Sequence, residues 1–415
     1  MKAILFPLVM LGGCEAPEKL LTESETLALQ SLWGPIEAPK DSTNAVFEDI
    51  DAIALGKSLF YDPRLSSNGE ISCMSCHAPE LGFADGLVLS EGIGLAARHA
   101  PSLLGTAHSS WFFWDGGCDS LWCQAVGPLE NQVEMGFSRN EFAHLVVGDV
   151  DLSQAYEGLF GPLPDLSNST RFPAVARPFW VAEESAEHQA WMGMTEADRT
   201  LINRILTNLT KAIAAFEGKL EQSLSPFDVF AEAVVNGEAL GQVLYDRQAL
   251  AGFKLFVGQA GCIRCHSGPN FSNGEFYNSG VGDREWLTQP DEGRIEGVWD
   301  VQENPFNAGG VFSDDPNGFR AQRLLALEST VDQLGAFKVP TLRNVALSPP
   351  YMHGGAHADL SEVLTHYNTL SESPREGQTD PMLYPLELEE EALDQLEAFL
   401  KSLTGMWMDP GILPE

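Results

Sequence analysis

Apolar residues recur at helical spacing in three stretches of the chain. Leu201, Ile202, Ile205, Leu206, Leu209, Ile213, Phe216 and Leu220 make one stripe, which predicts a long interdomain helix ending near Ser225-Pro226. Residues 388–403 (LEEEALDQLEAFLKSL) predict an amphipathic helix near the end of the chain. Asp359-Leu360-Ser361-Glu362 reads as a capping box, after which Leu360, Val363, Leu364 and Tyr367 share one face and Tyr367 points inward. Residues 267–322 show no clear period, and 39 Gly and 25 Pro punctuate the chain. The expected fold is therefore mainly α, with long ordered loops round the helices and little β. Gly56-Lys57-Ser58-Leu59-Phe60 and Gly252-Phe253-Lys254-Leu255-Phe256 repeat one pattern, which suggests two related modules.

A length of 415 residues suits two or three domains. Charge narrows the partners: 24 Lys and Arg against 59 Asp and Glu give −35, which excludes nucleic acid. With 44% hydrophobic residues and nine Trp the chain is no disordered acidic tail. Met1-Lys2 leads into an apolar run over residues 3–13 and then Cys14, too short for a bilayer but sized like a secretory signal. Leu11-Gly12-Gly13-Cys14 resembles a bacterial lipobox, so residues 1–13 are expected to be a lipoprotein signal and Cys14 the lipidated residue of a periplasmic, membrane-anchored protein. An ordinary secretory signal containing a cysteine is the alternative, and it too exports the chain.

The other six cysteines fall into three pairs. Cys73, Cys76 and His77 (CMSCH), and Cys262, Cys265 and His266 (CIRCH), are two copies of Cys-x-x-Cys-His. In that sequence two thiols add to the porphyrin vinyl groups and the adjacent imidazole ligates iron, so two covalently bound haem c groups are expected. A four-cysteine zinc site would not require a His after each pair. Cys118 and Cys123 suit a local disulfide in an oxidising compartment, with a reactive or ligating pair as the alternative.

In chain order CMSCH is followed by Arg98-His99-Ala100-Pro101-Ser102, Phe113-Trp114-Asp115-Gly116, Gly127-Pro128-Leu129 and Val133-Glu134-Met135. CIRCH is followed by Val339-Pro340-Thr341-Leu342-Arg343-Asn344-Val345-Ala346 and Pro350-Tyr351-Met352-His353. Over about residues 45–405 this order resembles the bacterial di-haem cytochrome c peroxidase and MauG family. The resemblance implies two cytochrome c-like haem domains. It divides the mature chain into an N-terminal linker (14–44), a peroxidatic haem domain with the interdomain helix (45–230) and an electron-transfer haem domain (231–415).

Peroxide cleavage needs an open iron position and a group that moves a proton between the two peroxide oxygens. Gln124 and Glu134, with Pro128 between them, match the family's distal pair, which makes Glu134 the expected acid/base and Gln124 the group that orients peroxide. Without the surrounding motif Glu134 would read as a solvated carboxylate. Trp114 matches a family Trp between the haems, either an electron relay or a packing residue. Relatives often block the N-terminal iron with a loop His; residues 78–98 contain no His and no Met, so this iron is expected open or water-bound.

Tyr367 stands where cytochrome c peroxidases carry a ligating Met and MauG a ligating Tyr, and it is the expected axial ligand opposite His266, with Met352 and Met382 as fallbacks if it only packs. Relatives commonly bind calcium through an Asn at the position of His99 and carbonyls matching Ser348 and Pro350. Imidazole is a poor ligand for that cation, so calcium is left open and His99 is read as structural. The expected activity is reduction of hydrogen peroxide at the N-terminal haem, with electrons arriving through the C-terminal haem from a small redox protein such as a cytochrome c. Tyr367 keeps a MauG-like peroxide-dependent oxidase of a protein side chain or small organic substrate in view, whereas Gln124 and Glu134 argue against a mere electron carrier or sensor. Monomer and homodimer both remain open.

Overall fold

The structure, a computed structural model, describes residues 20–34, 40–221, 223–238, 244–282, 284–405 and 410–413. The segment expected to be a signal, residues 1–13, and Cys14 lie outside these residues. The fold is mainly helical, with one two-stranded antiparallel sheet in which Phe276–Tyr277 pairs with Phe337–Lys338. Among the described residues no helix is long and apolar enough to cross a membrane.

Two helix crossings organise the molecule, one for each copy of the Gly-x-x-Leu-Phe pattern. Helix Ile50–Phe60, capped by the Asp49 carboxylate, crosses helix Glu196–Glu217 at Gly56. A Cβ on Gly56 would lie 1.9 Å from the Ala212 carbonyl oxygen, so only a bare Cα permits the approach. Helix Arg247–Val257 crosses helix Glu390–Lys401 in the same way, where a Cβ on Gly252 would meet the Gln395 carbonyl oxygen at 1.8 Å.

Helix Glu196–Glu217 thus stands to the first module as the terminal helix stands to the second. Of its apolar stripe, Ile205, Leu209 and Ile213 pack in the first core with Leu55, Leu59 and Trp122, while Phe216 joins the small cluster of Phe60 and Phe83 with Leu220, which follows the helix. The second core is strongly aromatic, with Phe227, Phe253, Phe256, Phe271 and Phe399 in mutual contact.

The halves also exchange segments. Within the stretch expected to be a linker, Glu23–Leu32 is a helix with a Thr22–Glu25 capping box, and its Leu29 and Leu32 are buried in the second core. Conversely Phe306 and Phe312 enter the first core, where the buried Lys211 ammonium bonds the Phe312 carbonyl (2.9 Å) and Asp314 (2.6 Å). Residues 267–322, aperiodic in sequence, contain the helix Arg294–Glu303 and the start of the helix Phe319–Leu325. No regular stripe marks the first of these, because the buried Arg294 spends its guanidinium on the Asp115 and Gly116 carbonyls of the other half.

The crossings generate the first prediction. Gly56→Ala and Gly252→Ala should each lower the unfolding free energy by about 1–3 kcal/mol or more, because backbone has to move to admit the methyl group. Gly148→Ala, at the end of helix Arg139–Gly148 with open space around it, should be near neutral in the same denaturant titration.

Candidate active site

The first Cys-x-x-Cys-His motif forms the one-turn helix Cys73–Cys76 with His77 as its C-cap; the second is a 3-10 turn, Cys262–Arg264, that leads into Cys265 and His266. All four thiols are free. Each histidine is held by a backbone carbonyl: His77 Nδ1 lies 3.0 Å from the Phe83 oxygen and His266 Nδ1 3.0 Å from the Phe271 oxygen. A carbonyl can only accept, so Nδ1 carries the proton and Nε2 keeps its lone pair. Burial lowers both imidazole pKa values, that of His266 to about 4, which keeps the rings neutral.

The clamp is built twice from equivalent parts. Phe83 (φ 58°) and Phe271 (φ 50°) are fully buried residues in the left-handed region, the conformation that turns their carbonyls onto the rings. The carbonyls of Pro101 and Pro340 also face the two rings. The residue after each proline ties the clamp down: Ser102 Oγ donates to the Gly82 carbonyl (2.5 Å) and Thr341 Oγ1 to the Asn270 carbonyl (2.7 Å). Ala100-Pro101-Ser102-Leu103 and Val339-Pro340-Thr341-Leu342 are the sequence trace of this repeat, a signal that the motif reading passed over.

One continuous cavity of about 1040 Å³ joins the two motifs and is lined by Cys76 and His77 at one end and by Cys262, Cys265 and His266 at the other. Cys73 is not on its wall and packs against the small apolar cluster of Phe60, Phe83, Leu103 and Leu104. Burial raises the thiol pKa values, those of Cys76 and Cys262 to about 12; the Asp85 and Glu134 carboxylates add to the effect at Cys76. Paired free thiols, neutral imidazoles with a bare Nε2 and an apolar chamber fit two haems.

Gln124 and Glu134 both line the chamber, and the Glu134 carboxylate acts on Cys76 of the first motif. Gln124 ends the short helix Leu121–Gln124 and makes no side-chain hydrogen bond among the described residues. The Cys118–Cys123 disulfide is the link immediately before it, and Asn304 Nδ2 reaches Cys123 Sγ at 3.4 Å. Glu134 accepts from Asn131 Nδ2 at 2.6 Å, and burial raises its carboxyl pKa. The loop after the first motif fixes Glu134 from outside: Ile93 N–H donates to its carbonyl (2.9 Å) and Gly94 N–H to that of Val133 (2.8 Å).

Trp114 lines the chamber, its Nε1 donating to the His99 carbonyl (2.8 Å) and its own carbonyl accepting from Lys338 N–H (2.8 Å). Arg98 beside it binds Asp115 of the first half and, at 2.7–2.8 Å, Asp291 of the second. Tyr367, on helix Leu360–Thr369, faces the chamber beside Cys262 and Cys265, and burial raises its phenol pKa first of all. Met352 and Met382 line the chamber too. Asp359 caps this helix through Glu362 N–H (2.9 Å), while Glu362 reaches Ala358 N–H (2.7 Å) rather than closing the box on the cap residue.

The buried His99 places Nδ1 2.8 Å from the Leu87 carbonyl, with Asp85 at 3.9 Å. A nitrogen donor in that place does not fit a hard, oxygen-seeking cation.

Residues 51–236 match the family described as di-haem cytochrome c peroxidase. The methylamine utilization protein MauG of Methylorubrum extorquens is 31% identical over 361 residues, covering 85% of this chain and 78% of that protein. The chain belongs to the di-haem cytochrome c peroxidase family. Cytochrome c551 peroxidase of Nitrosomonas europaea, another relative, is 30% identical across 86% of this chain and 81% of its own length. The fold is shared with the di-haem peroxidase BthA of Burkholderia thailandensis (TM-score 0.63, 22% identity, 91% of this chain and 92% of that one). Like these peroxidases the chain is a haem oxidoreductase of cytochrome-c peroxidase type.

The loop contact on Glu134 predicts the effect of one methyl group in this peroxidase. In Gly92→Ala the new Cβ would meet the Glu134 carbonyl oxygen at 2.4 Å and its Cα at 2.8 Å. The variant should lose about 1–3 kcal/mol in denaturant unfolding and react more slowly with peroxide at unchanged haem content.

Proposed function

We propose that this chain is an exported peroxidase that reduces hydrogen peroxide to water at a haem held by Cys73, Cys76 and His77. Electrons enter through a second haem held by Cys262, Cys265 and His266 and come from a small cytochrome c-type donor. The observation that carries this reading is the single chamber, with a clamped histidine at each end, Glu134 beside the first motif and Gln124 on the wall. Each haem, once bound, supplies the redox-active iron. The protein supplies neutral Nε2 ligands, a side-chain amide to orient peroxide, and a carboxylate to carry a proton from the iron-proximal to the distal peroxide oxygen. Cleaving the O–O bond and releasing two waters consumes two electrons and two protons.

The desolvated carboxyl of Glu134 suits this work, because burial makes it hold a proton at higher pH than an ordinary glutamate. Trp114, hydrogen-bonded to both halves, suits electron passage between the sites. The net charge of −35 favours a basic donor. Export, a signal over residues 1–13 and a lipid on Cys14 accord with c-type haem attachment outside the cytoplasm. The His99 donor set speaks against calcium there.

Tyr367 favours a second reading. A phenol facing the chamber beside Cys262 and Cys265 suits an anionic axial ligand that stabilises oxidised iron, as in a MauG-like oxidase of a protein side chain or small organic molecule.

Steady-state turnover of peroxide with reduced cytochrome c tests the two readings. Sustained donor oxidation supports the peroxidase; reaction with peroxide without donor oxidation supports the oxidase, and no reaction overturns both. Glu134→Gln should slow the peroxide step by roughly 10²–10⁴-fold with both haems retained. In the parent chain the rate should fall with acidification through a pKa above the ordinary carboxylate value, because proton uptake from peroxide needs the ionised carboxylate; the variant should lose that limb.

A further inference from the structure

The chamber wall carries five Lys and Arg side chains: Arg98, Arg139, Arg264, Lys338 and Arg343. Four are satisfied by the protein. Arg98 holds Asp115 and Asp291, Arg139 holds Glu130, Arg343 makes a two-pronged pair with Asp228 at 2.9 Å, and Arg264 bonds the Tyr384 hydroxyl at 2.6 Å. Lys338 has no hydrogen bond or ion pair from its ammonium among the described residues, and no carboxylate acts on it.

Its position makes this costly. Lys338 belongs to the sheet strand Phe337–Lys338, its N–H is bound to the Trp114 carbonyl, and it lies two residues before Pro340, whose carbonyl faces His266. It is half-buried and opens onto the chamber. A lone ammonium removed from water is strongly unfavourable unless an anion meets it. Burial alone lowers its pKa to about 8, so the ammonium still carries its charge at neutral pH and has no protein anion to meet it. A haem brings two carboxylates on flexible arms into this chamber, and a charge-assisted bond to one would satisfy both groups.

We propose that Lys338 is the cationic partner of a haem propionate at the edge between the two haem sites. The assignment rests on the two-haem reading. It makes Lys338 a positioning residue that sets the potential of the haem whose propionate it neutralises and ties that propionate to the backbone of Trp114. Removing the ammonium leaves a negative charge uncompensated beside the iron, which favours the oxidised state.

The test is a spectroelectrochemical titration of the purified two-haem protein, of Lys338→Met and of Lys338→Arg, with resonance Raman spectra of the propionate-bending region. In Lys338→Met one haem midpoint should move to lower potential and one propionate band should shift, while Lys338→Arg stays close to the parent chain. The haem whose bands move identifies which of the two owns the propionate. Unchanged potentials and bands in Lys338→Met, with two haems bound, overturn the pairing and leave the two-haem reading intact; a parent chain without haem overturns both. Should Lys338→Met fail to mature, the milder Lys338→Gln and Lys338→Arg decide by the same bands, and coincidence of Lys338→Gln with the parent overturns the assignment.

Discussion

A backbone carbonyl turned onto a buried imidazole is the interaction on which the rest of this structure depends. It does three things at once: it fixes the ring's orientation, puts the proton on Nδ1, and leaves Nε2 free to bind a metal. The chain builds this device twice, at His77 with Phe83 and at His266 with Phe271, and both times places the carbonyl-bearing residue at positive φ inside an aromatic cluster. Aromatic burial sustains the unfavourable backbone conformation, since releasing it would expose a full phenyl ring to water.

Between the two clamps the halves are fastened by polar contacts that cross the chamber wall. Arg98 joins Asp115 to Asp291, Arg294 satisfies the Asp115 and Gly116 carbonyls, and Lys338 N–H reaches the Trp114 carbonyl. Removing one partner from such a partly buried network leaves uncompensated charge, so the arrangement resists relative displacement of the two ends. Segment exchange adds to this, with Phe306 and Phe312 in the first core and Leu29 and Leu32 in the second. A rigid separation accords with the proposed passage of electrons between two haem sites.

How much of this could be read from the chain depended on how local each feature is. Cys-x-x-Cys-His states its chemistry in five consecutive residues, and the stripe from Ile202 to Phe216 states a helix. That helix's packing was not legible: Gly56 brings it onto Ile50–Phe60, and Lys211 ties it to Phe312 and Asp314, by contacts between residues far apart in sequence. The clamps at Phe83 and Phe271 were missed because the working group is a main-chain carbonyl, and no side chain announces it. Helix Arg294–Glu303 was invisible because its buried face carries an arginine that serves the opposite half. Gln124, Glu134 and Trp114 were found through their motif neighbours and Tyr367 through its place on a helix face, and the fold gathers all four onto one chamber.

The central claim is that each clamped histidine belongs to its own covalently held haem, and intact-mass measurement of the purified, acid-denatured mature chain tests it most directly. The account predicts a mass increment of two haems that survives denaturation, falling to one when Cys262 and Cys265 are both replaced by Ala. A parent chain carrying one haem or none would contradict it.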